Sequence, residues 1–573
     1  MGENLILISA TLTLLISSAV NAQVHLSKNS DGSVVLDNGK ISLKLDKNAK
    51  ATYLALDKDK VNLIDNLSGA VHDPDKKHSF YLDYYSHGVH AFIPEKFEII
   101  QNDSNLVHIS YTQNSKDSLS LEYHFILRAN ESGIYSYVVA KNETQKPVTV
   151  SELRTIYRFD RNIMNSLYNG SFSATPYSYQ ELGEFPKIQD ETWRKPDGNV
   201  YSKYDLANYV RKIPFSGAFG HKHGAWLIHA GRDYFSGDDT KQDLIVHQDA
   251  IVLNYMTGSH FGTPDLIAPP GWSKMYGPWF VYLNSGSQEK MLKDVEGVSK
   301  KNKKSWPYAW MNDERYQKER GEVAGHVKGL ENAVIVLTSG EEQNDEQTLG
   351  FSYQAHTDKN GYFSINNIRP GTYQVDVYDN GGNETGNLYH GKTEVSGNKL
   401  TNIEINHQSR NTVLWSIGKA DRTAKEFNLG NKPRNWKWSG ETPSDLTFTI
   451  GQDAYQHKWY YAQTKPGVWA INFKDKADHT PRYLNIAFAG VSNSGMNAQG
   501  KATPSLDVYI NNEKIKNLSF DNDKTIYRGA TESGKYHNIS IPIDELLIKD
   551  GINTVQLKNI SGSLMYDCIT LSK

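Results

Sequence analysis

Residues 135–140 read Tyr-Ser-Tyr-Val-Val-Ala, and stretches of this kind decide the fold of the chain. Aromatic and β-branched side chains in alternation favour a half-buried β-strand. Residues 42–46 and 107–111 repeat the period-two pattern, and Gly, Asn and Asp separate such stretches. Because no helical pattern interrupts residues 23–284, we predict a large antiparallel β-sandwich there.

A chain of 573 residues is too long to fold around one ordinary hydrophobic core, and its length indicates about two to four domains. A helix is predicted over residues 287–300, and the charged, Pro-ended run 300–307 is interpreted as a domain boundary. We expect the first sandwich to occupy residues 23–305, a second sandwich of about a hundred residues 306–405, and a jelly-roll-like unit 406–573.

Composition excludes several classes of protein. With 62 Lys and Arg against 65 Asp and Glu, the net charge of −3 indicates neither nucleic-acid binding nor an anionic membrane surface. A polyanionic substrate would therefore need a local cationic site. Cys568 is the only cysteine, so no disulfide can form within the chain and stability must come from large cores.

The N-terminus resembles a secretory signal. Residues 5–20 are apolar with Ser and Thr, and Ala22 supplies a small residue at the expected cleavage point. We therefore expect residues 1–22 to be removed and the mature chain to be extracellular. No other stretch approaches the ~20 apolar residues of a spanning helix.

Four charged or titratable residues of the first unit suggest proton abstraction beside a carboxylate. Arg154 and Arg158 share one face of a predicted strand and could bind a carboxylate, although a pair of surface arginines would look the same. Lys203, between tyrosines, could act as a base if burial and nearby arginines favour its neutral form; otherwise it is an exposed lysine. His260, on a Gly-flanked turn, is a candidate partner or a structural histidine. We predict no metal site, since the pair His221 and His223 lacks a third ligand.

Seven motifs occur along the chain in a characteristic order. They are Leu-Arg-Thr-Ile-Tyr-Arg-Phe-Asp at 153–160, Ser-Lys-Tyr-Asp at 202–205, Gly-x-Trp at 224–226, Lys-Gln-Asp-Leu-x-x-His at 241–247, Gly-Ser-His-Phe-Gly at 258–262, Tyr-Gly-Pro-Trp-Phe-Val-Tyr-Leu-Asn at 276–284 and Leu-Trp-x-Ile-Gly-x-x-Asp-Arg-Thr-Ala-x-Glu-Phe at 414–427. In this order and at these spacings they make the chain similar to the rhamnogalacturonan lyases of polysaccharide lyase family 4. Each motif alone is weakly specific.

The resemblance implies an all-β chain: a large antiparallel β-sandwich catalytic domain, a fibronectin-III-like sandwich and a carbohydrate-binding-module-like jelly roll. It implies a monomeric rhamnogalacturonan endolyase that cleaves the rhamnogalacturonan I backbone of pectin by β-elimination at the 4-oxygen of galacturonate. By motif position, Lys203 and His260 match the catalytic residues, and Arg154, Arg158 and Tyr255 match substrate-binding residues. No cofactor is expected for catalysis, although a structural calcium ion is compatible with the family.

Two positions depart from the family pattern. Ser216 stands where several members have a histidine, and Leu253 stands where some have a second tyrosine. His247 and Lys274 are secondary candidates, mostly structural.

Two other functions stay open on sequence alone. A glycoside hydrolase of the same polymer would use two carboxylates, for which Asp205 and Asp243 are candidates without a paired pattern. A pectin-binding protein without catalysis would keep the cleft and the jelly roll.

Overall fold

The computed structural model describes residues 23–64, 79–249, 251–409, 411–495 and 500–573. The predicted signal segment 1–22 lies outside these residues. In the described part, antiparallel sheets dominate and fall into three consecutive groups, at 25–285, 321–406 and 413–572. The all-β fold class is confirmed.

The first group contains the two sheets that face each other across the main core. The nine-stranded sheet has, in spatial order, Ser173–Ala174, Ser166–Tyr168, Phe215–Phe219, His223–Ile228, Ser273–Ser285, Gly133–Lys141, Ser120–Arg128, Leu106–Gln113 and Lys96–Asn102. The five-stranded sheet has Val246–His247, Ile251–Gly258, Glu152–Arg158, Tyr81–Tyr85 and Val89–Ala91.

Smaller elements complete this group. A four-stranded sheet comprises His25–Lys28, Val34–Asp37, Ile41–Leu45 and Ala51–Leu56, and short ladders comprise Val148–Val150 with Leu266–Ala268, Lys187–Gln189 with Thr192–Arg194 and Val200–Ser202, and Asn208–Tyr209 with Gln242–Asp243. The helices are Tyr179–Gly183, the 3₁₀ turn Lys203–Leu206 and Gln288–Ser305.

The strand Gly133–Lys141 differs from the half-buried strand that its alternation predicts. Ile134, Val138 and Ala140 face the core of the sandwich, whereas Tyr135 and Tyr137 enter a second core on the opposite face. The long helix covers that opposite face, so both faces of the strand are buried.

The predicted helix over residues 287–300 is present but longer, running from Gln288 to Ser305. Met291 and Val295 are buried against the nine-stranded sheet, as the apolar spacing requires. The run 300–304, interpreted as the start of a boundary, instead forms the last turns of the helix. Lysines at 303 and 304 suit that end because they complement the helix dipole.

The second and third groups are smaller sandwiches. The second has a three-stranded sheet and a four-stranded sheet. The first of these comprises Tyr362–Ile368, Gly321–Lys328 and Leu400–Asn406, and the other comprises Ser352–His356, Val334–Thr338, Gly371–Tyr378 and Asn387–Val395. The third has two five-stranded sheets. One comprises Val413–Gly418, Ser563–Ser572, Arg482–Ser492, His537–Ile543 and Ala462–Gln463, and the other comprises Leu446–Thr449, Gly467–Asp475, Gly551–Ser561, Ser505–Ile510 and Glu513–Ser519. Its helical turns are Trp438–Glu441, Tyr455–Lys458, Ile526–Arg528 and Glu545–Leu547.

Each group has its own apolar core, as a chain with one cysteine requires. Cys568 is free and buried in the core-facing strand Ser563–Ser572. Across the described ranges, no helix has the length and apolar character needed to cross a bilayer.

Candidate active site

The strand Glu152–Arg158 forms the floor of the candidate site. It lies in the middle of the five-stranded sheet, between Tyr81–Tyr85 and Ile251–Gly258. In this register Arg154 lies opposite Asp83 on one side and Tyr255 on the other. Two of the predicted substrate-binding residues are therefore cross-strand neighbours.

Arg154 is held by carboxylates and a phenol. Its Nε donates to Asp83 Oδ1 at 2.7 Å, and its Nη1 donates to Glu152 Oε2 and to Tyr255 Oη, both at 2.8 Å. Burial raises the pKa of the Tyr255 hydroxyl well above its usual range, so the phenol stays protonated. Arg154 thus keeps a fixed orientation while two carboxylates offset its charge.

Arg158 differs from Arg154 in its partners. Its Nε and Nη2 donate to Tyr81 Oη at 3.3 and 3.1 Å, and it forms no ion pair with any described carboxylate. An arginine without a carboxylate partner keeps the capacity to bind the carboxylate of a ligand.

A chain of charged groups leads to His260. Its Nε2 lies 3.2 Å from Glu152 Oε1, and its Nδ1 lies 2.9 Å from Asp243 Oδ1. Lys241 Nζ donates to the other oxygen of Asp243 at 3.1 Å. Both contacts of the imidazole are satisfied together when both ring nitrogens carry protons, because ionised carboxylates only accept hydrogen bonds.

The charged groups around His260 stabilise one another's ionised forms. Burial alone would raise the pKa of Glu152, but the charges of His260, Arg154 and Lys203 hold it well below its usual range. Burial likewise opposes ionisation of Asp243, and Lys241 and His260 outweigh it, so its pKa is also lowered. Both carboxylates are therefore anions at neutral pH.

Lys203 begins a 3₁₀ turn whose N-cap is Ser202, with the Ser202 hydroxyl accepting from Tyr204 N at 3.3 Å. The side chain is only 12% exposed, and Nζ lies 3.6 Å from Asp190 Oδ2. Burial lowers the pKa of Lys203; Asp190 and other carboxylates partly offset this, while the charge of Arg154 acts with burial. The buried Lys203 is thus closer to its neutral form than a surface lysine is.

The two secondary candidates, His247 and Lys274, lie in different parts of the first group. His247 lies among Lys203, Arg158 and Arg154, and burial followed by these three charges lowers its pKa well below the usual range, so it stays neutral. Lys274 instead donates to Thr348 O at 3.0 Å, in a contact between the first and second groups.

The two departures from the family pattern are both buried. Leu253 packs in an apolar cluster with Tyr81, Tyr204 and Tyr255 behind the charged groups. Ser216 is buried on the nine-stranded sheet, with its hydroxyl unpartnered among the described residues.

Sequence reasoning named one of the four carboxylates that organise the site, Asp243, only as a hydrolase candidate, and it missed the other three. Glu152 lies two residues before Arg154, and Asp83, Asp190 and Asp243 lie in separate segments. The one available signal was the alternation of Glu152 with Arg154, which places both on one face of the strand. Among the described residues, no cluster of three or more His, Cys, Asp or Glu side chains has the arrangement of a metal site.

Comparisons with known proteins agree on a family. Residues 10–167 match the Rhamnogalacturonate lyase family, residues 319–405 match domain II of polysaccharide lyase family 4, and residues 413–571 match domain III. A rhamnogalacturonate lyase of Dickeya dadantii is 45% identical over 98% of this chain and 97% of its own length.

More distant relatives include rhamnogalacturonate lyase B of Emericella nidulans, 27% identical over 62% of this chain and 59% of that protein. A solved polysaccharide lyase is 13% identical over 66% of this chain and 47% of its own, with a TM-score of 0.25. That score is too low to support an inference about structure, and the family is shown by the sequence relatives and the matched domains. The chain belongs to the rhamnogalacturonate lyases of polysaccharide lyase family 4 and is a lyase that acts on a polysaccharide.

Proposed function

We propose that this chain cleaves the rhamnogalacturonan I backbone of pectin by β-elimination at the 4-oxygen of galacturonate, leaving a 4,5-unsaturated uronate end. The observation that carries the proposal is Lys203, a buried lysine whose pKa is lowered, within reach of the charges of Arg154 and Glu152. This is the form of lysine that can accept a proton from carbon.

Elimination would proceed in two linked steps. Neutral Lys203 takes the proton from C5 of the uronate, and the C5–H electron pair is left as an enolate-like charge shared with the uronate carboxyl group. That pair then forms the C4–C5 double bond as the C4–O bond breaks, and the departing oxygen receives a proton from His260 or from water. Lys203 ends as an ammonium ion beside Asp190, whose carboxylate lies 3.6 Å from its nitrogen.

Arg158 is the better candidate for the substrate carboxylate. No carboxylate of the described residues pairs with it, and its two donors to Tyr81 hold the guanidinium in place. Binding there would stabilise the negative charge that develops next to C5 during proton removal. Arg154, already paired with Asp83 and Glu152, would act mainly by orienting Tyr255 and Glu152.

His260 would donate the proton to the departing oxygen, directly or through water. The support for this role is its position between Glu152 and Asp243, where each ring nitrogen lies within 3.2 Å of a carboxylate oxygen. Lys203, whose pKa burial lowers, is better suited to accept the proton than to donate it.

The chemistry requires no metal, since arginine supplies the positive charge that cations provide in other sites. A structural calcium ion is compatible with the proposal. We also propose that residues 1–22 direct export and are removed, and that the mature chain acts as an extracellular monomer on a pectin polymer.

A two-carboxylate hydrolase is less well supported. Asp243 is fully buried and engaged by Lys241 and His260, so it is not free to attack or protonate a glycosidic bond. Burial raises the pKa of Asp205 to about 7, but the charge that acts on it among the described residues is that of Arg434, not that of a second carboxylate.

Ultraviolet absorbance of rhamnogalacturonan I products tests the proposal, because unsaturated uronates absorb and hydrolysis products do not. We expect absorbance to rise with the wild-type chain, and Lys203→Ala and His260→Ala each to lower turnover by about 100-fold or more with the fold retained. Lys195→Ala, which removes a lysine paired with Asp197 in the same region, should leave turnover unchanged. Depolymerisation without a rise in absorbance would exclude elimination.

A further inference from the structure

The third group of strands reaches the candidate active site through residues 522–530. Asp523 O accepts from Gly262 N at 3.0 Å, on the turn that carries His260. Ala530 packs in the same apolar cluster as Tyr204 and Tyr255. The jelly-roll unit therefore forms part of the wall behind the catalytic groups.

Arg528 makes two contacts from this segment that address both proposed catalytic residues. Its Nη1 donates to the backbone oxygen of His260 at 2.9 Å, and its guanidinium lies 4.6 Å from the centroid of the Tyr204 ring. The Tyr204 hydroxyl donates to Asp190 Oδ2 at 2.5 Å, and that oxygen lies 3.6 Å from Lys203 Nζ. One guanidinium is thus linked to His260 directly and to Lys203 through two residues.

The segment that carries Arg528 is rigidly built. The carboxylate of Asp523 accepts from Val491 N and Thr525 N, both at 2.8 Å, and from Ser492 Oγ at 2.7 Å. Residues Ile526–Arg528 form a 3₁₀ turn, and Gly529, with a φ of 78°, ends it in the left-handed region that favours glycine. Arg528 is therefore presented at a fixed position relative to the third core.

We propose that Arg528, from the carbohydrate-binding-like unit, is a positioning residue that holds His260 and the Tyr204–Asp190–Lys203 chain in the geometry needed for elimination. This rests on the proposed function of Lys203 and His260. Arg528 acts through the His260 backbone, the Tyr204 ring and its charge near Asp190, so its loss changes the alignment of the reacting groups. The third unit is then a necessary part of the catalytic site.

The test compares kcat and KM of Arg528→Ala and Arg528→Lys with wild type on rhamnogalacturonan I. We expect Arg528→Ala to lower kcat about 10- to 100-fold with KM changed about twofold or less, since small misplacements of reacting groups cost this much. Arg528→Lys keeps the charge and a donor but not the planar stacking group, so its kcat should lie between that of wild type and that of Arg528→Ala. Millimolar guanidinium chloride should restore part of the activity of Arg528→Ala, whereas sodium chloride should not.

Tyr209→Phe is the control for loosened docking of the third unit. It removes the hydroxyl that donates to Glu532 at 2.6 Å and lies 3.2 Å from Ser533 Oγ across the same contact, and in the described part of the chain this hydroxyl forms no hydrogen bond with His260 or Tyr204. We expect normal kcat in this variant. If Arg528→Ala retains the wild-type kcat, or if Tyr209→Phe loses as much and guanidinium restores neither, the positioning role is wrong.

A second readout separates this inference from the proposed chemistry. The ring ¹⁵N resonances of His260, assigned with His260→Ala, should shift in Arg528→Ala and stay in place in Tyr209→Phe. Unchanged His260 resonances in Arg528→Ala would overturn the positioning role even in an active enzyme. A wild-type chain that forms no unsaturated product would instead refute the proposed function, whatever the resonances show.

Discussion

At the scale of single residues, Glu152 links the groups of the candidate site. One of its oxygens lies 3.2 Å from His260 Nε2, and the other accepts from Arg154 Nη1 at 2.8 Å. Such charge-assisted contacts are stronger than neutral hydrogen bonds, and this carboxylate is only 22% exposed. Glu152 therefore sets the distance between His260 and the strand Glu152–Arg158, which carries Arg154.

Glu152→Gln should lower kcat by about 10-fold or more while the fold is retained. The amide keeps the shape of the side chain but loses the charge that holds His260 and Arg154 together. Steady-state kinetics with circular dichroism measures this. Glu98→Gln, at an exposed residue paired with Lys96, is the matched control and should behave as wild type. Equal activity in both variants would remove Glu152 from the site.

The pH dependence of kcat/KM should report the lowered pKa of Lys203. A base acts when neutral, so the rate should rise with pH through the folded-state pKa of Lys203, at a pH below the ordinary lysine value of 10.5. The charge of Glu152 raises the pKa of Lys203, so Glu152→Gln should move this rise to lower pH. A rise that moves to higher pH in the variant would contradict the assignment of Lys203 as base.

At the scale of elements, strand pairing brings the site together. The spacing of Arg154 and Arg158 predicts a shared face from sequence, because residues four apart in a strand point the same way. Their different partners follow from register: Arg154 faces Asp83 and Tyr255, whereas Arg158 reaches Tyr81 by a diagonal contact. Register depends on neighbouring strands far away in sequence, so the difference could not be predicted.

At Gly258 the backbone of the strand Ile251–Gly258 lies directly against the side chain of Asp243. A Cβ at this position would collide with the Asp243 carboxylate, which holds His260. Gly258→Ala should therefore lower the free energy of unfolding by about 1–3 kcal/mol and reduce turnover, as measured by urea denaturation and product absorbance.

Gly297→Ala is the matched control for Gly258→Ala. Gly297 lies on the exposed face of the helix Gln288–Ser305, and no neighbouring described group lies within 4 Å of the added methyl group, so this substitution should stabilise by about 0.5–1 kcal/mol. Equal stability of the two variants would show that the strand can move away from Asp243 without cost.

At the scale of the whole molecule, Arg422 joins the three groups of strands. From the third group, Nη1 donates to Asp238 Oδ2 of the first at 3.3 Å, and Nη2 donates to Asn387 Oδ1 of the second at 2.6 Å. Its guanidinium also lies 3.7 Å from the centroid of the Tyr378 ring. A single buried cation thus contacts all three units.

Arg422→Met should lower the free energy of unfolding by about 3 kcal/mol or more, because it leaves buried Asp238 without its cation. Thermal unfolding should show a lower first transition and a wider separation between transitions as the units uncouple. Lys300→Met, which breaks an exposed pair with Glu296, should change stability by less than about 1 kcal/mol. A cooperative transition unchanged from wild type would show that Arg422 does not couple the units.

The all-β class, the long helix and the motifs by which the family is recognised could be predicted from the amino-acid sequence, because these depend on local alternation and on residue order. The groups that surround Lys203 and His260 could not be predicted, because they meet only in the folded chain. Asp83, Glu152, Asp190 and Asp243 come from separate segments, and Arg528 comes from another unit altogether. Charges act through space, so the pKa values and orientations of the proposed catalytic groups arise only when strands pair and the third unit packs against the first.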